Sequence, residues 1–501
     1  MRLLKMITFV LLMVASVQSN AQFNLSGKIA NYSGKETLKV NIPIVYGYNG
    51  DTEINIPIDK NGNFSIDLPI KEKKFGDLIF EKTFYTYLLT PGKSLHVLCK
   101  TQDSTVSTVS GTSAKENQLL TQINLNEQPF FMLKGKVFND SLTSISAVEE
   151  KAIKPMMKIR DSNIELVKSS SISNQDKSLI IAEIKYHTLN ILQEIRYIIP
   201  DKKIANDFYL HLYDPLSTKP EVFPAGPQYY AFIRYYLGYL GPKTIANKDK
   251  KGLSDKEPLD FYKISYDSAN VVERKFGKPY LRWMLANNIQ LPLKVIEQLT
   301  YKEIIDVYNS NDIRLLAPLV DAYTKQFKTG ALVLDAKKRI AKLKLQWAIN
   351  EKNKNIQIVN NFETTRSIYD VIKPLKGKVV LLDVWGTWCG PCKEELKYVP
   401  DLKAKFKGKE VAFVYLDLDE ESLDPKWREF IITNNMEGLH LRKTRQTIVP
   451  FWKELLANAE DKAEYYPQYF IFDKAGKLVV SKAKRPSQKE ELYTQIEQFL
   501  K

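Results

Sequence analysis

Apolar and polar residues alternate in 53–58 (Glu-Ile-Asn-Ile-Pro-Ile) and 64–68 (Phe-Ser-Ile-Asp-Leu), the period of a half-buried strand. Asp59-Lys-Asn-Gly62 lies between these runs, so a hairpin is expected there, with Gly62 supplying a positive φ. Gly27-Lys-Ile-Ala and the run Thr90-Pro-Gly-Lys-Ser-Leu-His-Val-Leu98 extend the pattern, and residues 22–110 read as an all-β domain. Cys99 closes the last run and is expected to be buried as a small apolar residue. The stretch 101–114 is rich in Ser and Thr and reads as a linker.

From 111 to 352 the spacing becomes helical. In 176–199, Leu179, Ile180, Ile184, Ile191, Ile195 and Ile198 fall on one helical face, with His187 on it as a core histidine satisfied by a neighbour. Residues 229–240 (Tyr-Tyr-Ala-Phe-Ile-Arg-Tyr-Tyr-Leu-Gly-Tyr-Leu) carry aromatics on most sides. That fits a helix buried between elements, with a partner-binding face as the alternative. Further helices are expected at 280–287, 291–299 and 331–349. From 353 onward strands and helices alternate: strands at 378–384, 411–417, 438–442, 469–473 and 477–480, helices at 389–406, 425–434, 450–458 and 489–500.

At 501 residues, 44% hydrophobic and 26% charged, the chain is an ordinary multidomain globular protein. Its net charge of +15 comes from lysines spread among acids. No clustered basic and aromatic patch of nucleic-acid type stands out, so a solvated basic surface is the simpler reading. Residues 1–21 have the make-up of a signal peptide: Arg2 and Lys5, an apolar run from Ile7 to Val14, and Ser19-Asn-Ala21 as a cleavage site. The mature chain is expected to start near Gln22, with no membrane span after cleavage.

The chemistry concentrates in Val379-Val-Leu-Leu-Asp-Val-Trp-Gly-Thr-Trp-Cys-Gly-Pro-Cys392. A buried strand runs into a turn, and a helix starts at the first cysteine. Unpaired N–H groups and the helix dipole there stabilise a thiolate, lowering a thiol pKa from about 8.5 toward about 7 or below. Cys392 lies one turn on, close enough to close a disulfide, which is the arrangement of thiol–disulfide exchange. A zinc site would need two further ligands, and the remaining candidates are Cys99 and four scattered histidines. A purely structural disulfide would leave Trp388 and Pro391 unexplained. Asp59-Lys-Asn-Gly62 is no calcium loop, because its twelfth position is Ile70.

With its flanks, this motif resembles the thioredoxin superfamily, and within it the TlpA/ResA-like exported thiol–disulfide oxidoreductases. The resemblance covers the last third of the chain. A weaker one links residues 22–110 to a small β domain of unknown function that precedes thioredoxin-like domains in exported bacterial proteins. The fold class implied is an N-terminal all-β domain, a helical middle region and a C-terminal α/β thioredoxin-like fold over 353–501. The resemblance implies Cys389 as nucleophile, Cys392 as resolving thiol, Asp383 as a buried proton acceptor and Glu395 as an active-site acid. Asp383 as a turn-bonded edge residue, and Glu395 as plain surface, are the alternatives. It places Pro467 as a cis-proline, with Trp388, Tyr466 and Pro467 contacting substrate. Tyr466 departs from the small or β-branched residue usual there, and the helix-kinking proline is displaced to Pro400.

The function implied is an exported reductase of protein disulfides in the periplasm or cell envelope of a Gram-negative bacterium. No cofactor and no metal are implied. The partners implied are cysteine-containing exported proteins and a membrane electron donor, with no nucleic acid. Oxidase, isomerase or peroxidase-like chemistry and a non-catalytic envelope binding protein are the alternatives. Peroxiredoxins need Thr or Ser three residues before the reactive cysteine, where this chain has Gly386.

Overall fold

A computed structural model describes residues 22–126 and 142–501. The signal segment at 1–21 lies outside the described residues. The chain divides into two compact units, one ending at Ile305 and the other spanning Asp306–Lys501.

The first unit opens with strands β1 (Phe23–Ala30), β2 (Leu38–Asn41), β3 (Glu53–Asn55), β4 (Asn63–Leu68), β5 (Lys74–Phe80), β6 (Thr83–Leu89), β7 (Ser94–Lys100) and β8 (Thr105–Ser110). They form two four-stranded sheets, ordered β4-β1-β7-β8 and β3-β2-β5-β6. Both sheets contribute to one core, in which Phe23, Leu25, Val40, Phe80, Leu89, Leu95 and Cys99 are buried. Gly27 lies opposite Val97 of the parallel neighbour β7, and a Cβ there would lie 2.2 Å from the Val97 carbonyl oxygen.

Two expectations are corrected here. The runs at 53–58 and 64–68 do not form a hairpin, because β3 and β4 belong to different sheets. The turn itself forms, with Gly62 at φ +81° and Asp59 accepting the Asn61 and Asn63 N–H groups. Pro57 cannot donate to a ladder, and the chain changes sheets there. The expected Ser/Thr linker contains a strand: β8 pairs antiparallel with β7 and forms the edge of its sheet, with Thr and Val among its residues.

Helices follow: α1 (Ala114–Ile123), α2 (Lys154–Ser169), α3 (Asn174–Glu194), α4 (Lys202–Tyr213), α5 (Pro227–Lys251), α6 (Tyr266–Asn288) and α7 (Leu293–Asn309). Helix α1 lies against the edge of β6, where the Leu88 N–H donates to Asn117 Oδ1 (2.7 Å) and Asn117 Nδ2 donates to the Leu88 oxygen (3.2 Å). The single apolar face expected on α3 is corrected. Polar Asp176, Glu183, Asn190 and Gln193 are buried as well, since the helix packs on several sides. His187 is hydrogen-bonded to the Asn126 carbonyl (3.2 Å). Burial lowers its pKa. On α5, Tyr229, Tyr230, Phe232, Ile233 and Tyr239 are buried. Gly277 (φ 78°) interrupts α6.

The second unit holds α8 (Ile313–Gln326) and α9 (Ala331–Asn350), then β9 (Ile356–Ile358), α10 (Ile368–Ile372), β10 (Val379–Trp385), α11 (Gly390–Leu396), α12 (Val399–Lys405), β11 (Val411–Leu418), α13 (Asp424–Thr433), β12 (Gly438–Lys443), α14 (Val449–Leu455), β13 (Gln468–Phe472), β14 (Leu478–Ser481) and α15 (Glu490–Glu497). The sheet order is β14-β13-β10-β11-β12-β9. β10 runs parallel to β11 and antiparallel to β13. All seven residues of β10 are buried, as expected of a central strand covered on both faces. The helix expected over 389–406 is two helices. Pro400 opens α12, lacking the N–H that would continue α11. Lys443 is buried and donates Nζ to the carbonyls of Phe362, Glu363 and Thr365, fastening the approach to α10.

Candidate active site

Strand β10 delivers the chain to its own carboxyl end in the middle of the sheet, and Gly386-Thr387-Trp388 turns it into α11. Cys389 is the N-cap of α11, in extended conformation (φ −82°, ψ 102°), with Pro391 in the first turn. Its Sγ accepts the Cys392 N–H at 3.2 Å. A neighbouring backbone donor is the kind of group that favours charge on sulfur. Cys389 and Cys392 are joined in a disulfide, Cα to Cα 5.3 Å. Both are buried, so position in the helix, not exposure, distinguishes them.

Around the disulfide, Trp388 is half exposed and donates Nε1 to the Leu418 carbonyl (2.7 Å). A Cβ on Gly386 would lie 2.7 Å from that Nε1, so the indole needs glycine there. The Trp388 ring meets Tyr466 edge-on at 5.4 Å, and Tyr466 meets Trp452 at 5.8 Å. The Tyr466–Pro467 peptide is cis. Pro467 leads into β13, whose Gln468 pairs with Val384. Tyr466 packs against the same apolar cluster that holds both cysteines.

Asp383 sits in the middle of β10, between Tyr469 of β13 and Tyr415 of β11. It is buried, and its Oδ1 has no hydrogen-bond partner among the described residues. Burial first, and then the Glu395 charge, push its pKa well above the usual carboxylate range. It is therefore not an edge aspartate bonded to a turn. Glu395 is no surface residue either. It is buried and accepts the Ser487 N–H (2.9 Å) and Oγ–H (3.0 Å).

Sequence reasoning missed Ser487, which lies 92 positions from Glu395 and carries no local signal. It also missed Asp417 and Asp419, buried at the end of β11, where burial raises both pKa values. Their alternation with apolar residues resembles an ordinary half-exposed strand; only the covering helices make them buried. Among the described residues no cluster of three or more His, Cys, Asp and Glu side chains is arranged to hold a metal. None of the described helices is long and apolar enough to cross a membrane.

Residues 352–496 match the family model described as Redoxin. A thiol-disulfide oxidoreductase ResA of Bacillus thuringiensis (strain Al Hakam) is 47% identical over 55 residues, which is 11% of this chain and 32% of that protein. Another ResA, of Bacillus thuringiensis subsp. konkukian, is 32% identical over 137 residues, covering 26% of this chain and 66% of the relative. The chain thus spans about a third of the first of these relatives and about two thirds of the second. Among solved structures, the thioredoxin domain of a thiol-disulfide oxidoreductase from Bacteroides vulgatus is 24% identical, with a TM-score of 0.21. That match covers 26% of this chain and 84% of the other.

Proposed function

We propose that this chain, with a Redoxin domain at residues 352–496, is an exported thiol–disulfide oxidoreductase that reduces disulfides in cysteine-containing proteins of the cell envelope. The observation carrying the proposal is the Cys389–Cys392 pair at the start of α11, with the buried Asp383 in the strand behind it, one of its oxygens without a hydrogen-bond partner among the described residues.

In the proposed cycle the Cys389 thiolate attacks one sulfur of a substrate disulfide. A mixed disulfide forms and one substrate thiolate leaves. Cys392 then gives its proton to ionised Asp383, and its thiolate attacks Cys389 Sγ. The Cys389–Cys392 disulfide forms, the second substrate thiolate departs, and two electrons have passed to the substrate. A membrane electron donor of the thiol class returns the pair to the dithiol. Glu395 acts through its charge, which helps to keep the Asp383 pKa high. Trp388, Tyr466 and cis-Pro467 form the surface on which the substrate segment lies. Gly390-Pro391, with no histidine between the cysteines, favours the reducing direction.

Cys389→Ser is expected to abolish reduction of a protein disulfide, and Cys392→Ser to trap mixed disulfides identifiable by mass spectrometry. A potential near about −270 mV supports a reductase, whereas one near about −120 mV refutes that direction. Turnover by Cys392→Ser, or adducts on Cys99, overturns the thiol assignment. Export is tested by N-terminal sequencing of the envelope fraction, with Gln22 expected and an intact Met1 refuting it.

A further inference from the structure

The first unit contains a cavity of about 1080 Å³ between the β6 sheet and helices α3, α5 and α7. It is as large as the upper end of ordinary small-molecule sites. Helix α5 turns a stripe toward it at helical spacing, Ala231, Arg234, Tyr235 and Gly238, small residues leaving room between larger ones. This is the aromatic segment whose partner-binding face the thiol chemistry leaves unused. Tyr48, Phe84 and Phe223, three exposed aromatics, also line it.

The lining is basic, with seven Lys and Arg side chains against four carboxylates. Two guanidinium groups converge on one of those carboxylates. Arg282 grips buried Glu303 through Nε (2.8 Å) and Nη2 (2.6 Å), and half-exposed Arg234 reaches it at 3.3 Å. That trio carries one positive charge in excess. A second carboxyl, Glu183, is 1% exposed, and its Oε1 has no hydrogen-bond partner among the described residues. Burial pushes its pKa up to about 8, so at neutral pH it is largely protonated and can donate to a ligand carbonyl.

One wall is a strand edge. The Leu88 main chain is taken by Asn117, and the Phe84 oxygen by Asn126 Nδ2 (3.0 Å). Thr86 lies between them with the same outward parity. By the alternation of the β5–β6 ladder, its N–H and C=O face away from β5.

From the basic lining, the aromatic mouth and the outward-facing main chain at Thr86, we infer that this cavity binds an extended acidic peptide segment with apolar side chains. The segment would belong to the proteins on which the Cys389–Cys392 pair acts. That identity rests on the proposed thiol–disulfide function; the site itself does not.

The test uses the oxidised full-length protein and fluorescence anisotropy of a short labelled peptide rich in Asp and Glu with interspersed leucines, beside its Asn/Gln and Lys counterparts. The acidic peptide should bind at least tenfold more tightly than either, and more weakly as salt rises. Arg234→Ala should weaken it at least tenfold, while Arg282 still neutralises Glu303. Gly238→Phe should weaken it at least tenfold by placing a ring in the groove beside Arg234 and Tyr235. A Cβ there meets only Tyr209 Oη, at 3.6 Å, so the side chain can leave the helix without a main-chain clash, and an unchanged urea unfolding midpoint is the check that the fold is retained. Reduction of a small-molecule disulfide should be unchanged in both variants. Equal binding of the three peptides, wild-type affinity in both variants, or binding of an acidic oligosaccharide in place of the peptide overturns the inference. Binding by a protein that reduces no disulfide removes the proposed function and leaves the site. Reduction without binding does the reverse.

Discussion

Replacing Asp383 with Asn isolates the cost of the acid in the β10 core. A carboxyl whose folded-state pKa lies above its unfolded value keeps its proton in the native state after the unfolded chain has lost it. Native stability then falls as pH rises from the unfolded pKa, about 3.9, toward the folded one, and levels off above it. Because burial, and then Glu395, raise the Asp383 pKa, the wild type is on this falling branch above about pH 4. The slope is about 1.4 kcal/mol per pH unit for one proton. Asn does not titrate, so the variant should gain on the wild type by that amount per unit until the native acid ionises. The new amide has N–H groups to satisfy, at a cost of about 1–3 kcal/mol that does not change with pH. The slope, not the intercept, is therefore diagnostic. Urea unfolding of oxidised wild type and Asp383→Asn at several pH values between 4.5 and 8 (a span of about 3.5 units, or about 5 kcal/mol at most) reads it. Adding Glu395→Gln should end the rise at lower pH, since it removes the second cause of the shift. A stability difference that stays flat with pH would show that burial does not raise the Asp383 pKa in the native protein, and the case for a carboxylate made basic enough to take the Cys392 proton would lose its support. In kinetics, Asp383→Asn should slow resolution of a mixed disulfide by up to about 10²-fold.

Gly386→Ala should cost about 1–3 kcal/mol in urea unfolding and slow protein-disulfide reduction, because the methyl displaces the Trp388 indole from Leu418. Lys443→Met should cost about 3 kcal/mol by the same measurement, since it leaves three carbonyl oxygens without their ammonium donor. In the reduced native protein, Cys99 should react with a thiol reagent only after denaturation, because burial pushes its pKa up to about 12; rapid labelling of all three cysteines would refute this.

What the sequence made legible was local chemistry with a strong period. Seven buried residues in β10 and the cysteine at a helix start each follow from neighbours in the chain, whereas the single helix expected over 389–406 divides before Pro400. Pairing at a distance was not legible. The turn at 59–62 is correct, yet β3 and β4 part because β3 pairs with β2 and β4 with β1, strands from earlier in the chain. Residues 105–110 looked like linker because Ser and Thr are ambiguous until β7 offers an edge. Asp383 could be singled out, since an acid in an apolar run is conspicuous. Glu395 could not be told from its surface neighbour Glu394 without Ser487 folded against it.

Asn117 bears on where this protein can be divided. Its side-chain amide, joined to Leu88 by a donor and an acceptor, is a substitute for one residue of an additional strand. Leu119, Leu120 and Ile123 of the same helix cover Phe75 and Leu88. A fragment ending at Ser110 would retain all eight strands of both sheets and lose this cover. Bare main-chain groups beside uncovered apolar side chains are a template for pairing between molecules, so that fragment should self-associate. The natural lower cut is after Ile123: the strands and the first helix are one inseparable module, and any transplant or truncation of the β-rich segment has to carry that helix with it.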